Sequence, residues 1–121
     1  MTPAEGNPVP VEASELAPGI WKIRIVGDLH ASAFEQIDRA IQELFKIGVF
    51  KIVVDLKEAK PPDSTGIGTF IAYQDQATKS AGGIVFLSCP TEIKDMFFRL
   101  GLDALFRFVE SEEAAILQYR G

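Results

Sequence analysis

Val49-Phe50-Lys51-Ile52-Val53-Val54-Asp55-Leu56 is a nearly continuous apolar run of strand length. No alternation separates a wet face from a dry one, so the run predicts a central strand covered on both sides. Lys60-Pro61-Pro62 follows as a loop, and then comes Asp63-Ser64-Thr65-Gly66-Ile67-Gly68. The next segment is amphipathic, so these six residues stand where a helix begins. A helix start carries unpaired N–H groups and a partial positive charge. Two hydroxyls, a carboxylate and two glycines without side-chain bulk suit such a place to carry a covalent phosphate or to bind one. The plain structural alternative is an N-cap by Ser64, worth about 1 kcal/mol. The two roles do not exclude each other, because a capping hydroxyl is also exposed.

Working back from this strand, Val11 to Leu16 and Ile20 to Val26 read as a hairpin around Ala17-Pro18-Gly19. In the second strand Trp21, Ile23 and Ile25 alternate with Lys22 and Arg24, giving a core face and a wet face. Gly27-Asp28-Leu29-His30 breaks the strand. Ser32 opens a helix with Glu35 at capping-box spacing, and Phe34, Ile37, Ile41, Leu44 and Phe45 share one face. Gly48 terminates it.

Working forward, the helix after Gly68 runs to about Ser80, with Ile67, Phe70 and Ile71 starting its buried face. Gly82-Gly83 ends it, and Ile84 to Leu87 is the next strand. Pro90 starts a helix whose Ile93, Met96, Phe97 and Leu100 recur at helical spacing until Gly101. Leu105 to Val109 is a short last strand, and Ser111 caps a final helix with Glu112 and Glu113 in its first turn. The order β-β-α-β-α-β-α-β-α predicts an α/β fold: a mixed central sheet with an N-terminal hairpin and four helices. Residues 11–121 are expected to form one domain. Residues 1–10, acidic and Pro-rich without an apolar core of a signal peptide, are expected to be a flexible lead-in.

Composition narrows the function. The 121 residues carry 12 Lys and Arg against 17 Asp and Glu, a net charge of −5 with no basic cluster. Nucleic-acid binding through many phosphate contacts is not expected. No apolar run reaches the ~20 residues of a membrane span. Cys89 is the single cysteine, which excludes an intramolecular disulfide and fits a reducing cytoplasm. One Cys and one His supply no zinc set. Gly66-Ile67-Gly68 lacks the rest of a dinucleotide fingerprint, and no phosphate-binding loop ending in Gly-Lys-Ser/Thr is present. His30, Asp63 and Ser64 do not suit a hydrolase triad, because Asp63 adjoins Ser64 in sequence and is badly placed to orient His30.

With this order and these residues the chain resembles a STAS domain, in particular the bacterial anti-sigma factor antagonists. Asp63-Ser64-Thr65-Gly66-Ile67-Gly68 is similar to that family's Asp-Ser-Ser/Thr-Gly-Leu-Gly signature, and Phe97-Phe98-Arg99-Leu100-Gly101-Leu102 resembles its later helix end. The resemblance implies a non-enzymatic, cytoplasmic binding protein. It implies phosphorylation at Ser64, with Thr65 as second choice, by an anti-sigma factor serine kinase, and removal of the phosphate by a metal-dependent serine phosphatase. The unphosphorylated chain would hold the anti-sigma factor and the phosphorylated chain would release it. ATP and magnesium would belong to the kinase, so no cofactor is expected here. The implied partner face is Asp28 and His30 of the first loop with Pro62, Asp63, Ser64, Thr65, Gly66 and Ile67. His30 stands where the family often has a second carboxylate, and Pro62 where an apolar residue such as Met is common. These departures favour the alternative, a STAS interaction module of a stress-signalling or transporter assembly with no phosphate involved.

Overall fold

The computed structural model describes residues 11–29, 31–61 and 64–120, with Ala31, Ser32, Ser64 and Thr65 known only by their place in a helix. The expected lead-in, residues 1–10, lies outside them. The elements come in the predicted order: β1 Val11–Ala17, β2 Ile20–Asp28, α1 Ala31–Lys46, β3 Lys51–Lys60, α2 Ser64–Thr78, β4 Gly83–Leu87, α3 Thr91–Arg99, β5 Arg107–Val109 and α4 Glu112–Arg120. The five strands lie in sequence order across one sheet, with β3 in the middle. The β1–β2 hairpin is antiparallel and the other pairings are parallel, so the sheet is mixed as expected.

The continuous apolar run of β3 is explained by two layers. Ile52, Val54 and Leu56 face the larger core, with Ile37 and Ile41 of α1, Phe70 and Ala77 of α2, and Ile93 and Phe97 of α3. Val53 faces the other way, with Ile20, Val85, Leu87, Val109 and Ala115 of α4. Phe86, on β4, is the hub of the larger core. Its ring centroid lies 5.3 Å from Phe70, 5.2 Å from Phe97, 5.0 Å from Phe106 and 5.4 Å from Phe108. Such ring pairs add stability beyond area burial and fix α2 and α3 against the sheet.

α1, α2 and α3 end in the same way. The last residues turn back so that one N–H reaches a carbonyl five residues earlier, as in Val49 to Leu44 (2.9 Å), Gly82 to Ala77 (2.9 Å) and Leu102 to Phe97 (2.9 Å). The residue before each donor must take a left-handed conformation. Gly48 (φ 84°) and Gly101 (φ 73°) do so, as read from the sequence, but after α2 it is Ala81 (φ 62°). Gly82 is required for another reason. A Cβ there would stand 1.9 Å from the Phe50 carbonyl oxygen.

Several boundaries differ from the sequence reading. β3 starts at Lys51 and runs past Leu56 to Lys60, which had been expected in the loop, and α2 spans Ser64–Thr78 instead of following Gly68. β2 does not break at Gly27. It continues to Asp28, because β3 inserts one extra residue between the pairs Arg24–Asp55 and Val26–Glu58 and then stays in register through Asp28–Lys60. The Lys57 amide in the bulge is satisfied by Asp55 Oδ1 at 3.0 Å. The helix of Ser32 starts at Ala31, so Ser32 lies inside the first turn rather than capping it. Leu100 is the C-cap of α3, not a member of its buried stripe, and is 58% exposed. β5 keeps only Arg107–Val109, with Phe106 buried just before it. The wet face expected for β2 is also partly covered: Ile20 is buried, and Lys22 pairs with Glu112 of α4 at 2.7 Å.

Candidate functional site

The bulge of β3 sets the site. Without it the register of the Arg24–Asp55 pair would align Asp28 with Ala59. With it Asp28 is aligned with Lys60, and the chain leaves β3 at Pro61 toward α2. Asp28 is exposed at the end of its strand, and Leu29 beside it is buried at 3% exposure, anchoring the loop to the core. α2 begins at Ser64. The first loop and the start of α2 therefore leave the sheet at the same end, the C-terminal end of its parallel strands. His30, Pro62 and Asp63 lie outside the described residues.

Within the first turns of α2, Thr65 follows Ser64 in the helix. Gly66 is buried, and Ile67 is 2% exposed and packed into the larger core. Ile67 therefore anchors the helix start more than it projects from it. Gly68 is exposed, and nothing lies within 4 Å of where its Cβ would stand. Further along, the Tyr73 hydroxyl donates to Asp38 Oδ1 at 2.9 Å and ties α2 to α1. Burial and that carboxylate push the Tyr73 phenol well above its ordinary range, so it stays a neutral donor. Gln74 holds the other half of the helix: its Oε1 accepts from the Ile84 amide at 2.7 Å and its Nε2 donates to the Leu105 carbonyl at 2.7 Å. These bonds fix the body of α2 against α1 and the sheet.

Sequence reasoning missed one neighbour. Ile67 of α2 and Met96, Arg99 and Leu100 of α3 line a shallow, mostly apolar hollow of about 260 Å³ beside the start of α2. Phe98 is 51% exposed and Leu105 41%. Phe98 lies off the buried stripe of α3, and its ring lies 6.0 Å from that of Phe108, at the rim of the aromatic cluster. Leu100 was hidden from the pattern because its spacing is that of a buried position. Among the described residues no group of three metal-ligating side chains comes together, and no helix is long and apolar enough to cross a membrane.

The fold is that of an α/β domain, with a mixed five-stranded sheet and helices packed on both of its faces. The STAS domain family model matches residues 13–115, and the chain belongs to that family. Solved structures of the same fold include the anti-sigma factor antagonist SpoIIAA in its unphosphorylated form, at 24% identity and TM-score 0.77 over 92% of this chain and 96% of that one. The Bacillus SpoIIAA in its phosphorylated form matches at 24% identity and TM-score 0.70, over 86% of this chain and 95% of that one. A putative anti-sigma factor antagonist from Thermotoga maritima matches at 14% identity and TM-score 0.83, over 92% and 95%.

Proposed function

We propose that this chain is an anti-sigma factor antagonist, a non-enzymatic cytoplasmic domain that binds an anti-sigma factor kinase and is switched off by a phosphate on Ser64. The observation that carries the reading is the position of Ser64 as first residue of α2, at the end of the sheet where Asp28 also lies. Membership in the STAS family and the fold shared with antagonists solved in both phosphorylation states support it. Gly68 supports it too. A glycine inside a helix costs roughly 1 kcal/mol relative to Ala, and the chain has no packing need for it there. A partner backbone approaching α2 closely supplies a need.

The chemistry of the switch is electrostatic. A phosphoserine adds about −1.5 to −2 charges and strong acceptor oxygens. At a helix start the backbone dipole tolerates that charge, so the fold survives. Against a docked partner the same dianion must be desolvated, which costs several kcal/mol of binding. A serine phosphatase resets the system. The test is a pull-down from the source cell, with the mass of this chain recorded. A kinase-like partner and a fraction of the chain about 80 Da heavier are expected. A membrane ATPase or scaffold, with no heavier fraction, would instead establish a STAS module that works without phosphate.

A further inference from the structure

The other end of the sheet holds a second place of interest. Lys51, Gly83 and Arg107 stand first in β3, β4 and β5, at the end away from Ser64. Together with α4 they surround a hollow of about 300 Å³. Register explains how. Lys51 is aligned with Gly83 and Arg107 with Val85. Val85 belongs to the core under α4, and alternation along the strands puts Lys51 and Arg107 on that same face. Gly83, between the two cations, has no side chain to fill the space.

The lining contains two cations, two carboxamides and a phenol, and no carboxylate. In a chain of net charge −5 this is a local reversal of sign. Lys22, Arg24, Lys79 and Lys94 all pair with carboxylates. Among the described residues Lys51, Arg107 and Gln118 have no side-chain partner. The rest of the wall is already fixed. Gln74 is held by its two backbone bonds, and the Tyr119 hydroxyl sits 2.7 Å from the Ile52 carbonyl oxygen and 2.6 Å from that of Gly83. Lys51 is half-buried and also borders an adjoining hollow of about 230 Å³. A half-buried ammonium without a counter-charge gains by meeting an anion.

We propose that this hollow binds a small anion with two acidic ends, with Lys51 and Arg107 each holding one end and Gln118 bonding between them. The two cations spring from strands two apart and are staggered by two residues along them, roughly 12 Å at the backbone. That separation favours a molecule with two acidic groups over a single ion. Both a diphosphate and a dicarboxylate meet the requirement, since the guanidinium fork fits either group. The site is separate from the Ser64 switch and does not depend on that reading.

The test is an amide NMR titration of the full chain with inorganic pyrophosphate, with succinate, and with inorganic phosphate as the one-ended comparison. Saturable shifts confined to Gly82, Gly83, Arg107 and Gln118 are expected for at least one two-ended probe, with a midpoint at least tenfold lower than for phosphate. Which probe binds tells diphosphate from dicarboxylate. Lys51→Gln and Arg107→Gln should each raise the midpoint at least tenfold, Lys51→Arg should restore binding, and Ser64→Ala should leave it unchanged. Spectral dispersion in each variant reports that the fold is kept. Shifts that never saturate, that spread over the surface, that persist in both Gln variants or that match those of phosphate would overturn the proposal.

Discussion

The residues Ala81 and Gly82 show how one position's chemistry can be mistaken for its neighbour's. The left-handed turn after α2 falls on Ala81, while Gly82 is needed because the Phe50 backbone passes within contact distance. Gly82→Ala should therefore destabilise the fold by about 2–3 kcal/mol, the cost of forcing atoms into a filled site. Ala81→Gly should stabilise it by about 1 kcal/mol by relieving the left-handed strain. Urea midpoints of the two variants check both signs, and reversed signs would mean that the turn is assigned wrongly. Gly68 stands in open space, so Gly68→Ala should add about 0.5–1 kcal/mol of stability yet weaken the partner complex. If binding is unchanged while stability rises, Gly68 is not part of the partner face. At Ser64, Ala should abolish phosphorylation, keep the fold and hold the chain in its binding form. Asp should weaken the complex in part, with one charge in place of nearly two. Equal binding by phosphorylated and unphosphorylated protein would end the switch reading, because a modification without differential affinity shifts nothing. Label on Thr65 would keep the mechanism and move the residue.

Among the elements, α4 is the one whose start was fully legible. Ser111 Oγ accepts from the Ala114 amide at 3.1 Å, and Glu112 and Glu113 occupy the first turn as the helix dipole favours. Ser111→Ala should cost about 1 kcal/mol, read as a lower urea midpoint with no change in slope. A loss near zero would mean that packing of Ala115 alone holds the helix. β2 and β3 teach the opposite lesson. Gly27 looks like a break in isolation, and only pairing with a bulged β3 lets the strand run on to Asp28. That extension brings Asp28 level with Lys60 at the end of the sheet where α2 starts.

For the whole molecule, three weak acids packed wholly or partly into the cores respond to alkali together. Burial pushes the Cys89 thiol up to about 12 from its ordinary 9.0, and it pushes the phenols of Tyr73 and Tyr119 well above their ordinary 10.0. In the unfolded chain these groups lose protons first, so from about pH 9 upward the folded state holds more protons than the unfolded one. Stability should be level from neutral pH to about 8.5 and then fall steadily as pH rises toward 12. Denaturant midpoints at pH 7, 9, 10 and 11 check this. Tyr119→Phe should flatten part of the decline, and a flat profile in the wild type would contradict the desolvation of the three groups.

The sequence by itself determined the element order, the central place of β3, the start of α4 at Ser111 and the ends of α1 and α3, while α2 starts at Ser64, earlier than the turn through Gly68 suggested. These follow from short-range causes: apolar periodicity, capping hydroxyls and glycines in left-handed turns, each readable within a few residues. The same local signature at residues 63–68 carried the family. Only the tertiary structure decided which strand bulges, that Leu100 at a buried spacing faces water, and that Lys51 and Arg107, 56 positions apart in the chain, share a hollow. Those facts depend on pairing register and on what packs opposite each face. Such contacts join residues far apart in sequence, and no local pattern encodes them.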